Sequence, residues 1–342
     1  MNISFNITKK RSKDYFERMA PMLNTFRWME QFWDSVKDKT IFDIVLPGTH
    51  DSGSYSCNFN NGIAPFAPRI LKRKCIPKFI KNDAIVWTKT QDDNLLVQCM
   101  GGARYLDLRV CISVKDREIR TVHSIYGEKY LNLLNQIQFF IKSQQKEFII
   151  LHFRHFSKNK MNEMTEDDHK TLINMINKSI GKYCVFKEEI KNKLNDLLKI
   201  NHRIFIIYDN PINEKYDWLI SGDSIWNKWT NTQTPLELTN KLTQYVNEYN
   251  DGDNNNKLFC LQSCITPNDK MIKQYILKKL FGRLLSNKYK NIPMSLHDVG
   301  EEANSAIIKW IESNNDYKLN IISFDCLSLH RDLVILLIYK NI

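Results

Sequence analysis

His50, Asp51, Asp107, Arg109, His123, Arg154, Asp209 and Asp325 stand at or just beyond the ends of short apolar runs in this chain. Histidines, arginines and carboxylates in such places suit acid–base chemistry on a phosphodiester. One imidazole would take the proton of an attacking hydroxyl, another would protonate the leaving oxygen, and a guanidinium would stabilise charge on the phosphoryl oxygens. A carboxylate behind each imidazole would fix its tautomer and raise its basicity. His50-Asp51 carries the most weight. It follows Ile41, Ile44, Val45 and Leu46, which read as a buried strand stopped at Pro47-Gly48. A lone histidine in such a loop is more often an ordinary hydrogen-bonded residue; its downstream partners change that reading.

Those partners need elements to hold them. RYLDLRV at 104–110 reads as a strand, with Asp107 and Arg109 two apart and therefore on one face. Buried charges on one face need each other or a shared ligand. A short strand ends at His123, another spans 148–154, and a third at 203–208 runs into Asp209. Strands at 258–262 and 320–325 follow, the last ending at Asp325. Helices are expected at 130–144 (Leu131, Leu134, Ile137 and Ile141 on one face), 166–180, 187–199, 235–249, 268–285 and 301–314. Residues 13–38 read as one more helix with Met22, Phe26, Met29, Trp33 and Val36 in a stripe, and the Trp-rich stretch 215–234 reads as irregular.

Short buried strands alternating with helices, with ionisable residues at the strands' C-terminal ends, are the pattern of a closed (β/α) barrel. The expected fold is therefore α/β, a distorted TIM-type barrel in a single domain over 28–342, with 1–27 an N-terminal extension and start of a helix. An open doubly wound sheet would give the same element order, but no G-x-G-x-x-G or Walker loop favours it.

Lys and Arg outnumber Asp and Glu by 49 to 38, a net charge of +11, which favours an anionic partner. Basic residues gather in one place, Arg69, Lys72, Arg73, Lys74, Lys78 and Lys81, interleaved with apolar ones. This segment is either a rim facing an anionic membrane or a solvated excursion. No nucleic-acid motif is present, and no nucleic-acid partner is expected. The eight cysteines form no CxxC pair and read as reduced core thiols, so no metal site and no cofactor are expected. The N-terminus lacks an apolar secretory core, and no run approaches the roughly 18 apolar residues of a membrane span. A cytoplasmic monomer, peripheral at membranes, follows as the expectation.

LPGTHDSG at 46–53, WTKTQ at 87–91, GARYLDLRV at 102–110, His123, EFIILHFRHF at 147–156, LQSCITP at 261–267 and NIISFD at 320–325 together resemble the phosphatidylinositol-specific phospholipase C X-domain family. The match is to its small, bacterial-like, X-domain-only members. The resemblance implies a distorted TIM-type barrel that cleaves an inositol phospholipid to diacylglycerol and an inositol phosphate. By position it implies His50 as general base, His123 as general acid, Arg109 as the phosphate-gripping guanidinium of metal-free members with Asp51 beside it, and Asp325 as the carboxylate orienting the base. Asp107, Arg154, His155 and Asp209 fall where substrate would bind. The chain departs from the family in reading Ser-Ile-Tyr-Gly after His123, in His152 at a position often held by Asp, and in Asp209 where bacterial members carry a basic group. Two other readings stand beside this one: a barrel that binds phosphoinositide without turning it over, and a metal-dependent glycerophosphodiester phosphodiesterase.

Overall fold

The apolar runs become strands because each is buried on both faces, between an outer layer of helices and a barrel interior filled with side chains. A computed structural model describes residues 23–67, 72, 84–157, 163–254, 256–281 and 293–342. Its strands are β1 (Leu46–Thr49), β2 (Tyr105–Ile112), β3 (Ile119–His123), β4 (Ile125–Lys129), β5 (Ile149–Ser157), β6 (Ile204–Tyr208), β7 (Ile220–Ser221), β8 (Ile225–Lys228), β9 (Leu258–Gln262) and β10 (Ile321–Phe324). They form one sheet in the order β7-β6-β5-β2-β1-β10-β9-β8, every neighbour on that path being parallel. The path ends at β7 and β8, so eight parallel strands make a nearly closed barrel, and the expected TIM-type α/β fold is found. β3 and β4 are an antiparallel hairpin attached to the end of β2.

The helices are α1 (Trp28–Gln31), α2 (Trp33–Val36), α3 (Leu95–Met100), α4 (Tyr130–Ser143), α5 (Glu166–Ile180), α6 (Leu194–Lys199), α7 (Pro235–Asp251), α8 (Asp269–Phe281), α9 (Leu296–Ser313) and α10 (Arg331–Tyr339). α5 and α7 start where capping boxes start them, Thr165 with Asp168 and Thr234 with Glu237, the latter with Pro235 in the first turn. α9 begins at the Ser295 cap, earlier than its apolar stripe implies.

Several expectations are corrected. The first strand does not stop at Pro47-Gly48; it contains them. The Pro47 carbonyl accepts the Arg104 amide, and β2 begins only opposite Gly48, so the missing proline N–H breaks no strand pairing. The carbonyl that such an N–H would have met, Gly102 O, accepts the Trp28 indole N–H instead. Gly48 is required by crowding, since a Cβ there would lie 2.9 Å from the ring of buried Tyr105.

The stripe over 13–38 is not one helix. Within 23–38 it breaks into a 3-10 turn (Thr25–Arg27), α1 and α2, and residues before 23 lie outside the described residues. The helix expected over 187–199 is a 3-10 turn followed by α6, and Leu131 on α4 faces solvent while Leu133, Leu134 and Phe140 are buried. The stretch 215–234 supplies β7 and β8, the two strands that nearly close the barrel. Except for Lys72, the basic segment 69–81 lies outside the described residues.

The charged motif residues Arg104 and Glu147 serve the N-terminal end of the barrel. Their side chains are wholly buried and paired, Arg104 Nε donating to Glu147 at 2.8 Å.

Candidate active site

The C-terminal ends of β1, β2, β3, β5 and β10 open on one cleft of about 530 Å³, lined among others by His50, Asp107, Arg109, His123, Arg154, His155 and Asp325. An adjoining lobe of about 600 Å³ shares Arg109, His123 and His155 and adds Phe66, Glu163 and Asp209. Of the residues read from the sequence, Asp209 therefore sits in the neighbouring lobe. Asp51 lies behind Arg109, fully buried, and forms none of the cleft wall.

Two histidines are held in defined tautomers. A guanidinium can only donate, and Arg109 Nη2 donates to His50 Nε2 at 2.9 Å. The proton of His50 is therefore on Nδ1, which donates to Asp325 Oδ1 at 2.8 Å. His123 Nδ1 donates to the Thr88 carbonyl at 2.8 Å, leaving Nε2 to the cleft. The expectation of a carboxylate on each imidazole is thus met for His50 and corrected for His123. A backbone carbonyl holds its Nδ1, and Asp51 stands 3.9 Å away.

The carboxylates divide by their surroundings. Burial pushes Asp51 up to about 6, against the pull of Arg109, which lies 3.4 Å from it, and of His50. Burial acts on Asp107 too, but Arg154 and Arg109 outweigh it and hold that carboxyl well below the usual range. Burial, and then the charge of Arg109, push His123 down to about 3. Asp51 Oδ1 and Oδ2, Asp107 Oδ1, Arg109 Nε and Arg154 Nε are buried without a hydrogen-bond partner, a concentration of unspent polar capacity around one cleft.

The backbone makes a sharp turn one residue after each of four site residues. Asp51 after His50, Ser124 after His123, His155 after Arg154 and Cys326 after Asp325 all have φ between 42° and 64°. Non-glycine residues enter this left-handed region only where surrounding structure enforces it, and such positions cluster at functional sites. Here the turn drops each chain away immediately after its side chain is delivered to the cleft.

Sequence reasoning gave the WTKTQ segment no role, and it fastens the site. Thr90 Oγ1 donates to the His50 carbonyl at 2.9 Å, and Gln91 Nε2 donates to the Phe324 carbonyl at 2.8 Å. Gln91 Oε1 accepts the Leu327 amide at 3.1 Å and its Nε2 also reaches the His50 carbonyl at 3.3 Å, so one side chain ties the end of β1 to the end of β10. Trp229, beyond β8, was also missed; its ring centroid lies 4.9 Å from that of His50. His152 pairs inside the barrel with Tyr105 Oη at 2.7 Å and with Asp209 at 2.8 Å, so its departure from the family pattern is answered by a filled hydrogen-bond chain.

No family model matches the chain. It is 28% identical over 273 residues to human PI-PLC X domain-containing protein 2, which spans 79% of this chain and 87% of that protein. It is 24% identical over 312 residues to PI-PLC X domain-containing protein 3 of Bos taurus, 88% of this chain and 89% of that protein. Among solved structures it resembles the phosphatidylinositol-specific phospholipase C of Listeria monocytogenes (TM-score 0.58, 17% identity, 94% of this chain and 99% of that one). The S. aureus phosphatidylinositol-specific phospholipase C aligns at a TM-score of 0.63 with 15% identity, over 93% of this chain and 98% of that one. The ordered motifs, the identity spread over most of the chain and the shared barrel agree: along most of its length this chain is similar to the PI-PLC X domain-containing proteins.

Proposed function

We propose that the chain is a phospholipase C that cleaves inositol phospholipids without a metal, by paired-histidine catalysis. The observation that carries this is the tautomer arrangement: Asp325–His50 with Nε2 unprotonated, Arg109 beside it, and His123 presenting Nε2 to the same cleft. In the proposed first step the inositol 2-hydroxyl gives its proton to His50 Nε2 while its oxygen bonds to phosphorus. Arg109 moves onto the phosphoryl oxygens, the bond from phosphorus to the diacylglycerol oxygen breaks, and that oxygen takes a proton from the Nε2 of protonated His123. The products are diacylglycerol and a cyclic inositol phosphate, which water opens with the two histidines exchanging roles.

For this reaction His123 must be protonated, whereas the ligand-free site keeps it neutral. A bound phosphodiester supplies a negative charge beside His123 and draws Arg109 away, and both changes favour the imidazolium. The related barrels carry names of phosphatidylinositol-specific phospholipases C, which supports the substrate class. The free, buried thiols Cys57, Cys99, Cys111, Cys184, Cys260, Cys264 and Cys326 fit work in a reducing compartment, at the inner face of a membrane. No helix among the described residues is long and apolar enough to cross a membrane.

Product analysis after incubation with mixed inositol phospholipids tests the proposal. Cyclic inositol phosphate is expected. Lipid that is bound but returned intact would leave the reading of a binding barrel, and cleavage that demands added metal would favour a glycerophosphodiesterase-type reaction.

A further inference from the structure

We propose that His50, Asp325 and Cys264 form a site for a thiophilic divalent cation, zinc first among them, which takes the place of the protons behind His50. Among the described residues this is the one group of three His, Cys, Asp or Glu side chains whose ligand atoms all lie within 4.8 Å of one another, and all three residues are buried. Strand register puts them at one level. Thr49 pairs with Phe324 and Ser323 with Gln262, so one step beyond the first pair and two beyond the second bring His50, Asp325 and Cys264 side by side. Nδ1 of His50 faces Asp325 at 2.8 Å, and the Cys264 thiol lies 3.8 Å from the Ser323 carbonyl and within hydrogen-bond reach of the Asp325 carboxylate.

The donor set selects the metal. One imidazole nitrogen, one thiolate and one carboxylate oxygen suit tetrahedral zinc or cobalt(II), whereas calcium and magnesium demand oxygen ligands. His50 and Asp325 also border the cleft, so a fourth ligand can come from that side. Charge is the obstacle a bare cation would meet, because Arg109 touches the same imidazole. Coordination meets half of it: the Cys264 thiol proton leaves as the divalent ion enters, and the His50 proton passes from Nδ1 to Nε2 as Arg109 turns from that nitrogen toward Asp51, so the buried site gains one charge rather than two.

Metal at this position would claim Asp325 and the Nδ1 side of His50 together and would switch off the base. That consequence rests on the proposed phospholipase function; the binding itself does not. The test is titration of the full-length, chelator-stripped protein with cobalt(II). One equivalent should produce a thiolate-to-cobalt charge-transfer band and the intense visible absorption of tetrahedral cobalt, both erased by zinc. Cys264→Ser and Cys264→Ala should each weaken binding by more than about 100-fold, above the loss expected from an outer contact, while Cys57→Ser keeps the band. Absence of the band in the native protein, or its survival in both Cys264 variants, would overturn the site. In the activity arm, zinc should inhibit the native enzyme and spare the Cys264 variants; equal inhibition of all three would overturn the switch. If no lipid is cleaved at all, the functional reading fails while the cobalt titration still decides the site.

Discussion

Arg109 Nη2 lies 2.9 Å from His50 Nε2, so the guanidinium covers the lone pair that this histidine would use as a base. The same group stands 3.4 Å from Asp51 through its other terminal nitrogen. A fork with several fixed donors can leave the imidazole for a phosphate while keeping the carboxylate contact; a lysine ammonium cannot reproduce that geometry.

Arg109→Lys is therefore expected to lower turnover of an inositol phospholipid by about 10²- to 10³-fold, the cost of losing an aimed transition-state donor. Activity should be unaffected by EGTA or EDTA. A hard cation needs oxygen ligands, and here Asp51 is answered by Arg109, Asp107 by Arg154, whose Nε is 4.0 Å away, and Asp325 by His50. Activity that disappears on chelation and returns with calcium would count against a metal-free reaction.

The two histidines should fail in different ways. His50→Ala and His123→Ala are each expected to cost on the order of 10²- to 10⁴-fold while the fold, checked by circular dichroism, persists. A substrate with a good leaving group does not need protonation of that group, so it should recover much of the His123→Ala loss and none of the His50→Ala loss. Asp325→Asn should resemble a partial His50 defect, because the amide can no longer fix the Nδ1–H tautomer. Equal rescue of both histidine variants would refute the division of roles.

Much of the barrel was legible because its strands are buried on both faces: all five positions of β6 and of β9 are buried, and such runs stand out in any sequence. β7 and β8 were not legible. They are two and four residues long, and β8 carries Asn227 and Lys228, so neither shows a periodicity. The candidate residues come together because strand ends collect ionisable groups, and His50 lies against Asp325. What held them was hidden. Thr88 contributes only a carbonyl to His123, and a main-chain contact leaves no trace in residue type. The left-handed turns at Ser124 and Cys326 were equally silent, since neither residue type favours that conformation. Cys264 was read only as one of eight cysteines taken for reduced core thiols; its nearness to His50 is set by register across β1, β10 and β9.

Ligand binding should charge His123. In the free protein burial and Arg109 push it down to about 3, so its imidazole is neutral at pH 7. A non-hydrolysable phosphodiester analogue removes part of both causes, and proton uptake should accompany binding. Histidine NMR titration with and without the analogue measures this, the expected result being an upward shift for His123 on saturation. An imidazole that remains neutral down to pH 5 in the complex could not serve as the acid, and the proton would have to reach the leaving oxygen by another route.

Asp51 should cost stability that the site requires. Its carboxylate is fully buried, accepts no hydrogen bond, and sits on a backbone with φ of 42° and ψ of 55°. Burial raises it to about 6 from a model-compound value of 3.8. The folded protein therefore holds this proton more tightly than the unfolded chain between those two values. Stability from this group is complete below the lower value and is lost as pH rises through the upper one, a difference on the order of 3 kcal/mol. Asn is nearly the same shape, carries no charge to strand, and tolerates the left-handed backbone as well as Asp does. Asp51→Asn should thus be more stable than the native protein at pH 7.5 and little different at pH 4, with denaturant titrations at both pH values making the comparison. Turnover should fall in the same variant, because Arg109 loses the carboxylate that holds it beside His50. A variant destabilised equally at both pH values would mean that the Arg109 ion pair outweighs the burial cost, and that Asp51 is a structural anchor in its own right.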